Sequence, residues 1–203
     1  MAWEAWRSVR SPAAHGPLAS QRCSGAFSGS ERSARCWSAG PSRCSSSAIR
    51  ARRLGPEDWQ LYRRVRLAAL EEAPYAFGST YQREVGFDGA RWRWCVTDRV
   101  IYVAEVDGVV VGAVSGVDGE VNGSAAMIAM WVDPRFRRQG VGDVLVKTVM
   151  EWARGKRYGQ MFLWVTEVNA GAERLYARNG FVRTGATQEV RPGELEHEMS
   201  RLL

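Results

Sequence analysis

Between residues 57 and 72 the apolar positions Leu61, Val65, Ala68 and Ala69 recur at i, i+4, i+7 and i+8, a spacing that puts them on one face of an α-helix. Ahead of them Gly55-Pro56-Glu57-Asp58 supplies a proline and two acids to a first turn, where both are favoured. Pro74 stops the helix. A second helical stretch is expected over 79–96, broken at Gly86. The pattern then shortens. Apolar runs at 100–106 and 109–117, separated by Asp107-Gly108, predict a β-hairpin. The run 125–132 is apolar throughout, as a central strand is. Residues 49–54 add a short strand at the start.

After Asp133-Pro134 comes a basic loop, 135–139. Val141, Val144, Leu145, Thr148, Val149 and Trp152 then mark a helix and its expected buried face. Residues 161–165 read as a buried strand. The stretch 169–179 reads as a helix closed by Gly180, where a left-handed cap is expected. Terminal strands are predicted at 181–183 and 195–201. The order β-α-α-β-β-β-α-β-α-β-β describes helices interleaved with a mixed sheet.

Composition changes this picture at one end of the chain. The 203 residues are 45% hydrophobic and 25% charged, ordinary values for a globular protein. Residues 1–48 are different: they hold twelve Ser, and Val9 and Leu18 are their sole Val, Ile or Leu. Such a segment buries too little apolar surface to offset its ordering entropy. A disordered Ser/Arg-rich tail is therefore expected over 1–48 and a folded domain over 49–203. The tail is Arg-rich and acid-poor, as organelle transit segments are; an untargeted tail, or a reading frame begun at an upstream start codon, has the same composition. A secretory signal does not fit, because no apolar core follows a basic start.

The net charge of +6 divides unevenly: six Arg against two Glu in the first 48 residues, 22 basic against 20 acidic residues in the rest. The expected domain is nearly neutral, so the basic pI of the whole chain is no sign of a nucleic-acid partner. No apolar run reaches the roughly 18 residues of a membrane span. Four cysteines are too few for a disulfide scaffold. Cys23, Cys36 and Cys44 are spaced too widely for a metal-binding pair, and Cys95, among Trp92, Trp94 and Val96, reads as a small buried hydrophobe. No metal site is expected.

The stretch with chemical content is Val132-Asp133-Pro134-Arg135-Phe136-Arg137-Arg138-Gln139-Gly140-Val141-Gly142. It joins a buried strand to a helix start. Glycines there let backbone approach a ligand, and the unpaired N–H groups of a first helical turn attract anions. A Walker loop would need Gly-x4-Gly-Lys-Ser/Thr, which the chain lacks, and the dinucleotide fingerprint would need a third glycine where Leu145 stands. Arg137-Arg138-Gln139-Gly140-Val141-Gly142 fits a third pattern, Arg/Gln-x-x-Gly-x-Gly/Ala. In this it resembles the pyrophosphate loop of the GNAT acetyltransferase superfamily. Asn169, Ala172, Leu175, Tyr176, Asn179, Gly180 and Phe181 resemble that family's second block. The resemblance covers about 49–203.

The resemblance implies an α/β (α+β) GNAT fold: a mixed, mostly antiparallel sheet of about six to seven strands, flanked by four helices, with a splayed parallel pair at 125–132 and 161–165. It implies transfer of acetyl from acetyl-CoA to a primary amine of a small molecule or peptide, by direct attack. The non-catalytic alternative is an acyl-CoA sensor of the same fold. Backbone of Met130, Trp131 and Val132 would run along the acetyl group and pantetheine, with an N–H near Val132 polarising the thioester. The N–H groups of Arg137, Arg138, Gln139, Gly140, Val141 and Gly142 would hold the pyrophosphate. Asn169 would bind pantetheine, and Tyr176 would protonate the departing thiolate. Glu167 and Glu84 are the candidate bases. An aromatic wall of Tyr75, Phe77, Tyr81, Trp92 and Trp94, with Glu84 and Asp88 as amine anchors, would bound the acceptor. His197 reads as an exposed strand residue. A cytoplasmic enzyme follows, or an organellar one if the tail targets it. No nucleic-acid or membrane partner is expected, and a homodimer stays open.

Overall fold

A computed structural model describes residues 48–203. The expectations for 1–47, including those for Cys23, Cys36 and Cys44, lie outside the described residues. Seven strands form one sheet: β1 (Arg50–Arg53), β2 (Val100–Val106), β3 (Val109–Asp118), β4 (Ser124–Val132), β5 (Gln160–Thr166), β6 (Val182–Arg191) and β7 (Glu194–Leu202). Their spatial order is β1-β2-β3-β4-β5-β7-β6. Neighbours are antiparallel except β4 and β5. Five α-helices accompany them: α1 (Trp59–Glu72), α2 (Tyr81–Val85), α3 (Gly89–Asp98), α4 (Val141–Gly155) and α5 (Ala170–Arg178). Four flanking helices were expected; the fifth arises because Gly86 and Asp88 divide the second helical stretch, Asp88 capping α3 through the Arg91 N–H at 2.7 Å.

Each face of the sheet has its own core. On one, Leu145, Val149 and Met150 of α4 meet Met161 and Leu163 of β5, with Tyr176 of α5 and Phe181. On the other, Tyr62 and Val65 of α1 pack with Trp92 and Val96 of α3 over Ile101 and Val103. A Cβ on Gly116 of β3 would lie 2.6 Å from the Trp152 ring, so glycine is what lets α4 sit down on the sheet. The buried face of α4 is Val141, Leu145, Val146, Val149, Met150 and Ala153. It is turned from the expected one: Val144, Thr148 and Trp152 are half-buried at its border, while Val146, Met150 and Ala153 take their place in the core.

The Asp107-Gly108 turn has positive φ at both residues, 50° and 78°, as a two-residue hairpin loop requires. Strand β6 runs to Arg191, well past the predicted 183. Its residues are exposed on both faces over much of its length, since it is the sheet's outer edge, and so no alternation marks it in the sequence. No helix among the described residues is long and apolar enough to cross a membrane.

Candidate active site

The parallel pair β4–β5 is joined at Ser124–Gln160, Ala125–Met161 and Ala126–Phe162, and no further along. The cause lies in β4. Ala113 of β3 faces Trp131 while Ser115 faces Ile128, so β4 carries one extra residue there, and Ala129 takes a left-handed φ of 53°. A bulge of this kind bends its strand, and β4 leaves β5. The gap becomes a cavity of about 1190 Å³, above the usual span for one drug-sized ligand of about 300–1,000 Å³.

The bulge also aims backbone groups. Asp133 N–H bonds Val111 O at 2.9 Å, and Gly112 pairs with Val132. Antiparallel residues alternate in bonding their neighbour, so Val132 turns its N–H and carbonyl away from β3, toward the side β5 has left. The carbonyl accepts Arg137 Nε at 2.9 Å. The N–H is a donor at the cavity wall formed by Met130, Trp131 and Val132.

At one end of the cavity lie Arg138, Gly140, Gly142 and Asp143, facing Arg174 and Arg178 of α5. Gly140 caps α4 with φ 88°, and the first intrahelical bond runs from Val144 N–H to Gly140 O at 3.1 Å. The amides of Val141, Gly142 and Asp143 therefore precede the helical ladder, at its positive end. Asp143 accepts two hydrogen bonds of 2.8 Å from Arg178 and a third, also 2.8 Å, from Asn179. This clamps α5 to the loop, and Arg178 holds the Asp143 carboxyl below the usual carboxylate range. A Cβ on Gly142 would come within 2.9 Å of Leu175 Cδ2, so this glycine also serves the contact between α4 and α5.

The motif residues divide by role. Arg137 and Arg138 both line the cavity. The Arg137 guanidinium is committed to Val132 O and to Glu72 at the end of α1. Arg135 pairs with Asp133. Gln139 Nε2 donates to Arg135 O at 2.8 Å and is not on the cavity wall. Val141 is core. Asn169 lines the cavity and caps α5, its Oδ1 accepting Ala172 N–H at 3.1 Å; what it can offer a ligand is its Nδ2 donor pair. Tyr176 lines the cavity and packs edge-on against Phe181. Burial pushes its phenol pKa up, so the hydroxyl keeps its proton.

Neither expected carboxylate reaches the cavity. Glu84 is 6% exposed and lies among helices, paired with Arg66 at 2.8 and 3.0 Å. Glu167 points outward, with His197 Nε2 at 3.9 Å; His197 itself is half-buried, not exposed. The aromatic wall is also different. Tyr75 and Phe77 line the cavity with Trp131 and Trp164. Trp92 and Tyr81 belong to the α1–α3 core, Trp94 stacks under Arg91 at 4.1 Å, and Asp88 is a helix cap. The helical period of 79–96 turns Trp92 and Tyr81 into the core against α1 and leaves Trp94 and Asp88 on the surface.

Sequence reasoning missed Asp143, Arg174, Arg178, Trp164 and Thr166. The arginines and Asp143 lie one helical turn or less from recognised motif residues, which was the available signal. Trp164 and Thr166 alternate with the core residues of β5, so the period of two placed them on its other face. Among the described residues no group of three or more His, Cys, Asp and Glu could hold a metal ion.

Comparison with known proteins follows this geometry. N-acetylaspartate synthetase of Rattus norvegicus is 37% identical over 93 residues, 45% of this chain and 31% of that protein. Streptothricin acetyltransferase of Streptomyces lavendulae is 34% identical over 98 residues, 41% of this chain and 52% of that one. The chain thus spans about a third to a half of the length of these relatives. Among solved structures, Salmonella typhimurium yncA with its cofactor acetyl-CoA has a TM-score of 0.63 at 19% identity, covering 77% of this chain and 94% of that one. A GNAT-family acetyltransferase from Streptococcus pneumoniae reaches 0.65 at 18%, covering 77% and 99%. At these identities the two structures speak for the fold. The profile described as acetyltransferase (GNAT) family matches residues 63–181, more than half of the sequence, and the chain belongs to that family.

Proposed function

We propose that the protein transfers acetyl from acetyl-CoA to a primary amine of a small molecule or peptide, by direct attack and without a covalent enzyme intermediate. One observation carries this reading: a single cavity holds a cationic helix start, a strand N–H at Val132 turned away from β3 and the Tyr176 phenol. The names of the relatives, N-acetylaspartate synthetase and streptothricin acetyltransferase, support acetyl transfer.

The residues present fit acetyl-CoA as cosubstrate. The amides of Val141 to Asp143, with Arg138 and Arg174, suit the pyrophosphate. Asn169 Nδ2 suits the amide groups of pantetheine. Val132 N–H would bond the thioester oxygen, and more strongly as negative charge builds on it during attack. Collapse then breaks the C–S bond, and Tyr176 supplies a proton to sulfur. A phenol of reference pKa about 10 is a feasible donor to a thiolate whose thiol has one near 8.5. Its raised pKa weakens it as an acid in the ground state, but the same dry surroundings favour proton transfer to the developing thiolate.

The test is release of CoA thiol from acetyl-CoA, followed across a panel of amines, with calorimetry of CoA binding in parallel. Turnover with at least one amine is expected. Tight CoA binding without thiol release from any amine would establish the sensor reading instead.

A further inference from the structure

We propose that Glu196 of β7 accepts the proton shed by the acceptor amine, through a water held on the Thr166 hydroxyl. The proposal deepens, and rests on, the acetyl-transfer reading above. Thr166 ends β5 on the cavity wall. It is 7% exposed, and its Oγ1 has no hydrogen-bond partner among the described residues. A buried hydroxyl without a partner at a cavity wall is a place for a bound water or ligand. Thr166 faces Glu196 directly in the β5–β7 ladder, so the two side chains share a face with Cβ atoms about 5 Å apart.

The surroundings of Glu196 make it a base rather than a structural acid. Gln188 of β6 stands on its other side. Arg191, the guanidinium that acts on it, is committed elsewhere: its NH1 meets Glu194, and its NH2 meets the carbonyls of Pro74 at 3.0 Å and Phe77 at 2.5 Å. These last two bonds pin the β6–β7 hairpin to the 74–77 turn, whose Tyr75 and Phe77 line the cavity. The hairpin is thereby fixed beside the wall of Tyr75 and Phe77, with Glu196 half-buried on it, off the cavity wall itself and one cross-strand step behind Thr166. Burial raises its carboxyl pKa, against a hydrogen bond from Gln188 and the charge of Arg191. The other acids nearby are occupied. Glu72 takes Arg137 and Trp131 Nε1, and Glu198 takes the Thr184 hydroxyl. Glu194 and Glu198 flank Glu196 on the same face of its strand, with Thr166 across on β5 and Gln188 across on β6; of the polar groups around it, Gln188 and Arg191 shift its titration.

The protons balance. An acceptor ammonium gives one proton to Glu196 through the water, and the freed lone pair forms the N–C bond to the thioester carbonyl. The C–S bond breaks, its electron pair leaves on sulfur, and sulfur takes the Tyr176 proton. The second nitrogen proton restores Tyr176, and Glu196 releases its own to solvent. Ammonium and acetyl-CoA become amide, CoA thiol and one proton.

The experiment is the pH profile of kcat/KM for the full chain, with the amine that gives most thiol release, in wild type, Glu196→Gln, Glu196→Asp and Thr166→Val. Wild type is expected to gain activity with rising pH through an acid limb. Glu196→Gln is expected to lower kcat by about 10²-fold, to lose that limb, and to keep the KM for acetyl-CoA. Glu196→Asp keeps the limb at reduced rate. Thr166→Val lowers kcat and keeps the limb. A Glu196→Gln rate within twofold of wild type, or a lower rate with the limb unchanged, overturns the assignment and leaves acetyl transfer standing. Absence of thiol release from wild type with every amine overturns both.

Discussion

Replacing Glu84 by glutamine removes one charge from a pair that the fold encloses. Arg66 and Glu84 retain 11% and 8% of their side-chain exposure and meet through two hydrogen bonds, of 3.0 and 2.8 Å. The Arg66 guanidinium also lies 4.7 Å from the centre of the Phe77 ring, and its NH1 has no hydrogen-bond partner among the described residues. In Glu84→Gln the cation stays buried and loses its counter-charge. Breaking a buried pair from one side costs about 3–5 kcal/mol. For a domain of this size each kcal/mol lowers Tm by about 2–4 °C, so a fall of about 6–20 °C is expected. Replacing both partners by apolar residues, Arg66→Met with Glu84→Leu, removes the buried charge altogether and recovers most of the loss. The assay is thermal unfolding followed by circular dichroism, with thiol release measured well below each variant's midpoint. Glu84→Gln is expected to be less stable and, while folded, to turn over at close to the wild-type kcat. An unchanged midpoint with a kcat lowered by about 10²-fold would refute this reasoning and return Glu84 to the chemistry.

Three further outcomes are expected. Gly140→Ala places a Cβ at φ 88°, a strain of about 1–2 kcal/mol, and should weaken CoA binding in calorimetry; unchanged affinity in the folded variant would move the pyrophosphate site elsewhere. Tyr176→Phe keeps the ring packing and should lower kcat by about 10²–10⁴-fold with acetyl-CoA affinity intact; a kcat within twofold across pH would make Tyr176 a packing residue. Arg178 depresses the folded-state pKa of Asp143, so the pair stabilises the fold above the unfolded value of about 3.9 and this contribution is lost as pH falls through the folded value. The Tm difference between wild type and Asp143→Asn should therefore shrink between about pH 5 and about pH 2; a difference that ignores pH would refute the linkage.

Local chemistry in this chain is legible without coordinates. Asp107-Gly108 makes a hairpin because its conformational demands are met within two residues. The run 125–132 makes a central strand because both its faces are apolar. The Arg137–Gly142 string carries its anion-binding property in its own backbone, at a strand end and a helix start, and these are short-range features. Gly180 ends a helix with φ 82° for the same reason.

What only the tertiary structure decided are pairings between residues far apart in sequence. Glu84 looked free because its partner, Arg66, is eighteen positions away on another helix. The splay of β4 from β5 depends on one extra residue against β3, which leaves no mark in an apolar run. The extent of strand β6 beyond 183 left no signal because an edge strand wetted on both faces needs no alternation. Glu196 meets Thr166 because β7 inserts between β5 and β6, and strand order is set by how the whole sheet buries its two faces, not by any local pattern. Periodicity shows which face of an element is buried; only packing shows what that face meets.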